Sequence, residues 1–383
     1  MKVAGLGFCS ILVSSLTAAF VPGVATGAIT VHPGESIQDA VDASPAGGTV
    51  KVLPGDYTET HGNPVAVHIT KSLKLIAKSK LKNGIRVRLL PGPGNNQGIK
   101  VEPPSDSDPD IVGLKIQGFT VEGFQNNGIW LRHVDTYTIS GNESINNLEN
   151  GIWPTLSANG QVKKNVSYGS LDSALWIEAS ENVRAVGNNL HDSPTGLEVT
   201  ISKNIQMKKN EIHHNTVGVG LYHPNAAGLA NPFPTYDELG NWELTGNNIH
   251  DNNAPNTAPP GTMSSGLPPG IGVLVLGVDN NTISKNQIVN NDFDGISLVD
   301  WCVGAALAGP EFGCDVNPAL TEPAPDDNHF VKNDLATNGS APPSGFEPFA
   351  ADIALLVGLG TGNCFSGNTP TATVFGGILT PCP

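Results

Sequence analysis

The sequence predicts an all-β chain wound into a right-handed parallel β-helix of about ten coils, each of about 22 residues. Two repeated features and the composition indicate this fold: an asparagine once per coil, a Gly-apolar-x-apolar strand beside it, and many turn-forming residues. The chain has 383 residues with 45 Gly, 30 Pro and only 14% charged residues. A single compact core rarely grows this large, whereas each coil of a solenoid buries its apolar face only against its neighbours.

The asparagine recurs first at spacings of 23, 23 and 22 residues, and then at 37, 39, 47 and 35 residues. The series is Asn142, Asn165, Asn188, Asn210, Asn247, Asn286, Asn333 and Asn368. The wider gaps contain Pro-rich or Gly-rich inserts, and subtracting them restores a period near 22. Asn tolerates a left-handed backbone at a tight turn, and stacked amides can bond one another from coil to coil. We therefore predict a buried, structural Asn ladder.

The strand beside the Asn alternates apolar and variable residues, which is typical of a strand with one buried face. It is found at Gly128–Leu131, Gly151–Pro154, Gly196–Val199, Gly218–Leu221 and Gly295–Leu298, with variants at Ala174–Ile177 and Asp352–Leu355. Its middle residue is expected to point outward, in the series Lys100, Trp130, Trp153, Trp176, Glu198, Gly220, Leu274, Ser297 and Ala354. A second outward series, two residues further on, is Glu102, Arg132, Thr155, Glu178, Thr200, Tyr222, Leu276, Val299 and Leu356. We call these the first and second outward columns.

Four long inserts flank this strand. Those at about 224–240 and 302–327 directly follow it, and those at about 253–270 and 339–351 directly precede it. Long loops on a rigid scaffold are where function concentrates. The outward columns are therefore the predicted site.

The first 28 residues have the pattern of a secretory signal peptide: a positive start, an apolar run and small residues before the cleavage position. The mature domain is predicted to span 29–383, with a cap at about 29–60, loop-bearing coils at about 218–352 and a tail at about 364–383. We expect a secreted protein, extracellular or periplasmic, with no membrane span in the mature chain. The net charge of −15 argues against nucleic acid.

Four cysteines remain after the predicted signal peptide, and an even number in a secreted chain suggests disulfides. Proximity in the sequence favours Cys302–Cys314, which would close a loop, and Cys364–Cys382, which would fix the tail.

Residues 29–43 and 48–57 carry the segments Ile-Thr-Val-His-Pro-Gly-Glu-Ser-Ile-Gln-Asp-Ala-Val-Asp-Ala and Gly-Thr-Val-Lys-Val-Leu-Pro-Gly-Asp-Tyr. This opening resembles that of pectin-lyase-like β-helix proteins. The resemblance implies a short helix, at about 36–43, that caps the first coil. The later coils resemble secreted parallel β-helix repeat proteins of the carbohydrate-binding and sugar-hydrolase type. The resemblance also implies a substrate groove along the Gly-apolar-x-apolar strands. It names no single activity, because the superfamily hosts lyases, hydrolases, epimerases, esterases and adhesins.

Trp130, Trp153 and Trp176 follow one another in the first outward column. Flat aromatic faces beside polar groups suit sugar rings, so this row is the predicted binding surface for a polysaccharide or oligosaccharide. The competing interpretation is that the row packs beneath a loop or a partner protein.

Two catalytic chemistries fit the neighbouring residues. Glu178 and Glu198 are about 8 Å apart between Cα atoms on a β-helix, which suits the carboxyl pair of an inverting hydrolase. Elimination or C5 epimerisation of a uronate would instead use Tyr222, His223 or Arg132 as the base. Arg132, or a Ca²⁺ ion held by Glu178 and Glu198, would then neutralise the sugar carboxylate. The Asp-Pro-His motif of alginate epimerases and the paired-Asp signatures of polygalacturonases are absent.

The sequence thus leaves two hypotheses. In the first, the protein binds a polysaccharide and acts on it as a lyase, epimerase or inverting hydrolase, with no cofactor required except, in one version, Ca²⁺. In the second, it is a non-catalytic surface or envelope protein that binds a protein partner through the same face.

Overall fold

The computed structural model describes residues 27–78, 86–222, 239–309, 314, 323–356, 360–369 and 373–383. In this part of the chain, every pair of neighbouring strands within the three sheets is parallel, and successive coils stack in register. The predicted all-β parallel β-helix is therefore confirmed. Nearly all of the predicted signal peptide lies outside the described residues.

We name the three sheets by their place in the coil. The described strands of the pre-Asn sheet are Ile29–Val31, Gly48–Val52, Leu73–Ala77, Ile111–Gln117, Val134–Ser140, Gln161–Lys163, Arg184–Val186, Gln206–Lys208, Glu243–Thr245, Thr282–Ser284, His329–Val331 and Cys364–Ser366. Those of the post-Asn sheet are Gly55–Thr58, Val87–Leu90, Phe119–Glu122, Glu143–Ile145, Val166–Tyr168, Asn189–His191, Glu211–His213, Asn248–His250 and Gln287–Val289. Those of the site sheet are Val65–Ile69, Gln97–Val101, Ile129–Arg132, Ile152–Thr155, Ser173–Glu178, Thr195–Thr200, Val217–Tyr222, Ile271–Leu276, Asp294–Val299, Ala351–Leu356 and Val374–Phe375.

A short helix, α1 (Ile37–Ala43), covers the first coil as predicted. Ser36 caps it, with Oγ accepting a hydrogen bond from the Asp39 amide at 3.0 Å. Ile37 and Val41 are buried against the first strands, so the helix shields the open end of the apolar core.

The inserts carry the other helices. Helix α2 (Trp301–Ala308) begins directly after a site-sheet strand and is capped by the Asp300 carboxylate. Two 3-10 helices, Met263–Gly266 and Glu347–Phe349, lie in the 253–270 and 339–351 inserts. Helical structure thus gathers over one sheet.

The predicted Asn ladder forms, and its members from Asn142 to Asn333 are at most 2% exposed. In each coil the backbone amide and the side-chain amide of the Asn both donate to the Oδ1 of the Asn in the next coil. The prediction that the Asn itself has a left-handed backbone is wrong. The residue before it has the positive φ instead, and it is either Gly, as at Gly187 (φ 64°), or Lys, as at Lys209 (φ 56°). The side-chain amide of the Asn, and not its backbone conformation, therefore explains why it recurs in each coil.

Further Asn ladders were not predicted, and two of them are largely buried. One joins Asn215, Asn252, Asn291 and Asn338, and the other joins Asn281, Asn328 and Asn363. The first explains the glycine of the strand motif, because a Cβ on Gly218 would lie 2.7 Å from the Asn252 Nδ2 atom.

Both predicted disulfides are present. The Cα atoms are 5.2 Å apart in Cys302–Cys314 and 4.7 Å apart in Cys364–Cys382. The first bond ties the start of α2 to the insert that follows it, and the second ties the tail to the last pre-Asn strand. Among the described residues, no helix combines the length and the apolar character needed to cross a bilayer.

Candidate functional site

The strand register places the predicted outward residues in two straight columns. Trp130 pairs with Lys100 on one side and with Trp153 on the other, and Trp176 pairs with Glu198. In the second column, Thr155, Glu178, Thr200 and Tyr222 follow one another in the same way. Residues far apart in sequence are thus one coil apart, about 4.8 Å, in space.

The three Trp rings stack face to face along the solenoid axis. The ring centroids of Trp130 and Trp153 are 4.9 Å apart, and those of Trp153 and Trp176 are 5.0 Å apart, with planes within 6° of parallel. The Lys100 ammonium lies 4.1 Å from the centroid of the Trp130 ring and covers its other side. The prediction that flat faces are open to a sugar is therefore wrong for Trp130 and Trp153. A ligand lying along the column meets the edges of the half-buried indoles instead.

An acidic cluster begins where the Trp stack ends. It consists of Asp172, Glu178 and Glu198, and Glu198 is only 7% exposed. Burial raises the pKa of the Glu198 carboxyl well above its usual value, and the nearby Asp172 and Glu178 charges raise it further. Burial also raises the pKa values of Asp172 and Glu178. Because like charges this close disfavour simultaneous ionisation, the cluster holds a proton at a pH where isolated carboxyls have lost theirs.

Each carboxyl of the cluster has a hydroxyl neighbour. Ser173 donates to Glu198, and Thr155 donates to Glu178 at 2.9 Å. Ser264 of the 253–270 insert donates to Asp172 at 2.6 Å, across a sequence separation of 92 residues. These bonds oppose the effect of burial on the pKa values, and they fix the orientation of the carboxyl groups.

Asp172 was not among the predicted site residues. It lies at the corner just before its site-sheet strand, outside the two columns, and its amide donates to the Glu149 carbonyl one coil earlier. The signal was an acidic residue at the same corner of successive coils, Glu149 and then Asp172. No local sequence pattern predicts the contact of Ser264 with Asp172, because only the fold brings the 253–270 insert back over the acidic cluster.

Tyr222 lies beside the cluster, with its ring over Gly220, which explains why that position has no side chain. The hydroxyl of Tyr222 and the Thr195 Oγ1 atom are both buried, and neither makes a hydrogen bond of standard geometry to a described residue. Burial and the Glu198 charge raise the pKa of Tyr222 well above its ordinary value. Tyr222 is thus held neutral, with its hydroxyl facing Thr195.

The structure does not bring the other predicted site residues together. Both terminal nitrogens of the Arg132 guanidinium bind the Asp106 carboxylate of an exposed loop. The cation that was predicted to neutralise a uronate is therefore already paired. His223 lies outside the described residues. The described part of the chain contains no group of three or more His, Cys, Asp or Glu side chains able to hold a metal ion. A Ca²⁺ ion held by Glu178 and Glu198 stays a prediction.

Beyond Tyr222 the site sheet becomes apolar and is covered. The outward residues Val217, Ile271, Leu274, Leu276 and Val299 form a second hydrophobic cluster outside the solenoid core. Helix α2 and the 253–270 and 339–351 inserts pack against this cluster. The site sheet therefore has an aromatic and acidic half followed by a roofed apolar half.

Asp294 is buried at the start of a site-sheet strand in the apolar half. It accepts hydrogen bonds from the Ser297 hydroxyl at 2.6 Å and the Ala351 amide at 3.1 Å. Burial raises the pKa of Asp294 from 3.8 to about 7. Protonated Asp294 therefore contributes fully to the stability of the folded state below about pH 4, and this contribution is lost as the pH rises through about 7.

We expect Asp294→Asn to be more stable than the unmodified protein at pH 8, by at least about 1 kcal/mol, because Asn cannot ionise. Its Oδ1 atom can still accept from the Ala351 amide, and its Nδ2 atom can donate to the Ser297 hydroxyl oxygen. The gain should shrink on acidification and disappear near pH 4. Thermal melts followed by circular dichroism between pH 4 and 8 measure it. Asp108→Asn, at an exposed loop position, is the control and should show no such dependence. A D294N gain that is the same at all pH values would contradict the assignment.

A protein-family model described as "Right handed beta helix region" matches residues 98–233. The chain thus has a right-handed parallel β-helix fold. This β-helix resembles the A-module of the mannuronan C-5 epimerase AlgE4 of Azotobacter vinelandii, with a TM-score of 0.60 and 15% identity over 87% of this chain and 85% of that one. It also resembles the periplasmic alginate epimerase AlgG, with a TM-score of 0.51 and 15% identity over 91% and 84% of the two chains.

A third similar structure is the ORF18 protein of Geobacillus virus E2, with a TM-score of 0.55 and 11% identity over 89% of this chain and 62% of that one. At these identities the three structures share the fold alone with this β-helix. No curated protein sequence gives a significant match.

Proposed function

We propose that this β-helix binds a neutral saccharide along the site sheet and hydrolyses a glycosidic bond, with Glu198 as the general acid. The acidic cluster at the end of the Trp stack carries the proposal. A glycosidase acid must hold its proton near neutral pH, and burial next to other carboxylates is how proteins achieve this. Glu198 has that environment.

Glu178 is the proposed partner that activates water. It lies one coil before Glu198 and two residues further along the strand, since its register partner is Thr200. It is more exposed than Glu198 and keeps a hydrogen bond from Thr155, which favours its ionised form. Asp172 acts through its charge, which helps Glu198 to keep its proton.

C5 epimerisation or elimination of a uronate is the second candidate, because epimerases are among the proteins with this fold. The local charge disfavours it. The Arg132 cation is bound to Asp106, and the Lys100 ammonium lies 2.7 Å from Glu102. A negatively charged sugar would therefore approach three carboxyls with no uncommitted cation among the described groups of this part of the sheet.

We also propose that the protein functions outside the cytoplasm. Two disulfides in one chain are typical of oxidising compartments. The predicted signal peptide at 1–28 supports the same location.

Saccharide binding should quench the fluorescence emission of the Trp stack. The change would report on the stack, because the other two Trp residues, Trp242 and Trp301, are almost fully buried elsewhere. Trp176→Ala should weaken binding about tenfold or more, a loss of about 1.4 kcal/mol, since Trp176 is the indole next to the acidic cluster. Fluorescence titration with neutral and acidic oligosaccharides measures this.

Tyr168→Ala is the control for the Trp176 variant, because Tyr168 is also a half-buried aromatic residue in a ring stack but lies on the post-Asn sheet. It should bind like the unmodified protein. If no saccharide of the panel changes the Trp emission, the binding proposal is overturned. Stronger quenching by uronates than by neutral sugars would favour the second candidate.

A further inference from the structure

A cavity of about 370 Å³ lies over the apolar half of the site sheet. Its floor includes Leu274 and Leu276, and Val303 and Leu307 of α2 form one wall. The 253–270 insert adds Gly266, Leu267 and Pro268 to the lining, and the 339–351 insert adds Phe346 and Phe349. Leu307 of this wall is 51% exposed.

The chemistry of the lining is apolar. Ser297 is the hydroxyl of the lining, and it already donates to Asp294. Small-molecule sites have volumes of about 300–1,000 Å³ and mainly apolar walls. This cavity therefore fits a hydrocarbon or aromatic group of a small molecule, and it offers nothing to hold a sugar ring by its hydroxyls.

The cavity and the acidic cluster are neighbouring parts of one surface. Leu274 lies two coils after Glu198 in the first outward column, a distance of about 10 Å at about 4.8 Å per coil. One insert serves both places, since Ser264 binds Asp172 and Gly266 lines the cavity. Tyr222 stands between them, with its ring in the apolar cluster and its hydroxyl beside Thr195.

We infer that the saccharide bound at the acidic cluster carries an apolar substituent, an acyl chain or an aryl group, that occupies this cavity. The inference rests on the proposed function and specifies its substrate class. A separation of about 10 Å corresponds to roughly two strand spacings, so the substituent lies within one or two sugar units of the bond that is cleaved. The cavity then selects substituted over plain saccharides.

The neutral dye N-phenyl-1-naphthylamine tests the cavity by itself, because its fluorescence rises in apolar surroundings. The unmodified protein should bind it, and Leu307→Asp should weaken binding at least tenfold by placing a charge in the wall. Leu307 is half exposed, so the variant should fold, which a thermal melt verifies. Val112→Asp, at another exposed apolar position away from the cavity, should bind the dye like the unmodified protein.

Octyl glucoside and octyl maltoside, used below their micelle concentrations, test the link to the saccharide. They should displace the dye at least tenfold better than 1-octanol, and they should quench the Trp stack at lower concentration than glucose or maltose. The inference fails if the dye does not bind, or if octyl sugars displace it no better than octanol does. If plain sugars still quench the Trp emission in either case, the proposed function stands. Dye binding without quenching by any sugar of the panel would overturn both.

Discussion

Replacing Glu198 by Gln is expected to lower the rate of glycoside cleavage by about 10²–10⁴-fold, the usual contribution of a general acid. The amide has the size of the carboxyl but carries no transferable proton. Folding should not suffer, because the change removes a buried acid that faces Asp172 and Glu178. The variant should melt at the same temperature as the unmodified protein or higher, which separates loss of catalysis from loss of structure.

The pH profile gives an independent readout. The general acid must be protonated, and the pKa of Glu198 is raised, so activity should persist above the pH at which an ordinary glutamate ionises and fall as the pH rises through that raised pKa. The alkaline limb should be missing from the residual activity of E198Q. Reducing-sugar release from the neutral saccharides that quench Trp fluorescence measures both effects.

Glu181→Gln is the matched control, since Glu181 forms a bridge between coils after the site-sheet strand that ends at Glu178 and lies outside the two outward columns. It should leave the rate unchanged. If E198Q cleaves within about threefold of the unmodified protein, the hydrolase assignment fails. If Glu178→Gln also has no effect, the carboxyl pair has no catalytic role.

Sequence periodicity predicted the two outward columns, including the positions of Glu178 and Glu198, because a solenoid converts a spacing in sequence into a spacing in space. It failed where side chains leave that regular geometry. The Trp side chains turn so that their faces stack on each other, and Arg132 reaches Asp106 on a loop. Asp172 lies at a corner that the strand pattern does not cover. Contacts of this kind depend on side-chain rotamers and on the course of the inserts, which a repeat does not encode.

Asn210→Ala should be the most destabilising of the single changes considered, at about 3–5 kcal/mol. The Oδ1 atom of Asn210 accepts the backbone and side-chain amides of Asn188, and its Nδ2 atom donates to the Ala185 carbonyl and the Asn247 amide oxygen. Ala removes all four bonds. The Asn188 side-chain amide keeps its bond to the Val162 carbonyl and the Asn247 Oδ1 keeps the backbone amide of residue 210, but the buried Asn188 backbone amide loses its acceptor. Each unsatisfied group costs about 1–3 kcal/mol after partial relaxation. Circular dichroism melts and native-state hydrogen exchange of the neighbouring coils measure the loss.

The chain offers a control with the same side chain. Asn182 belongs to an exposed ladder with Asn159 and Asn204, where amide bonds of 3.2 and 3.1 Å compete with water. Its φ of 56° suits Gly, so Asn182→Gly removes the amide without backbone strain. This variant should lose less than about 1 kcal/mol. Equal losses in the two variants would show that burial of the Asn210 ladder adds nothing to stability.

The bond between Ser264 and Asp172 also bears on how the solenoid comes apart. Coils that contact only their neighbours can unwind one at a time from either end. The 253–270 insert instead connects the strand that begins at Ile271 with the corner before the strand that begins at Ser173, three coils earlier. Opening any coil between them strains that connection, so the four coils should open together, as a single cooperative block. The middle of the rod would then be the last part to unravel, whichever end frays first.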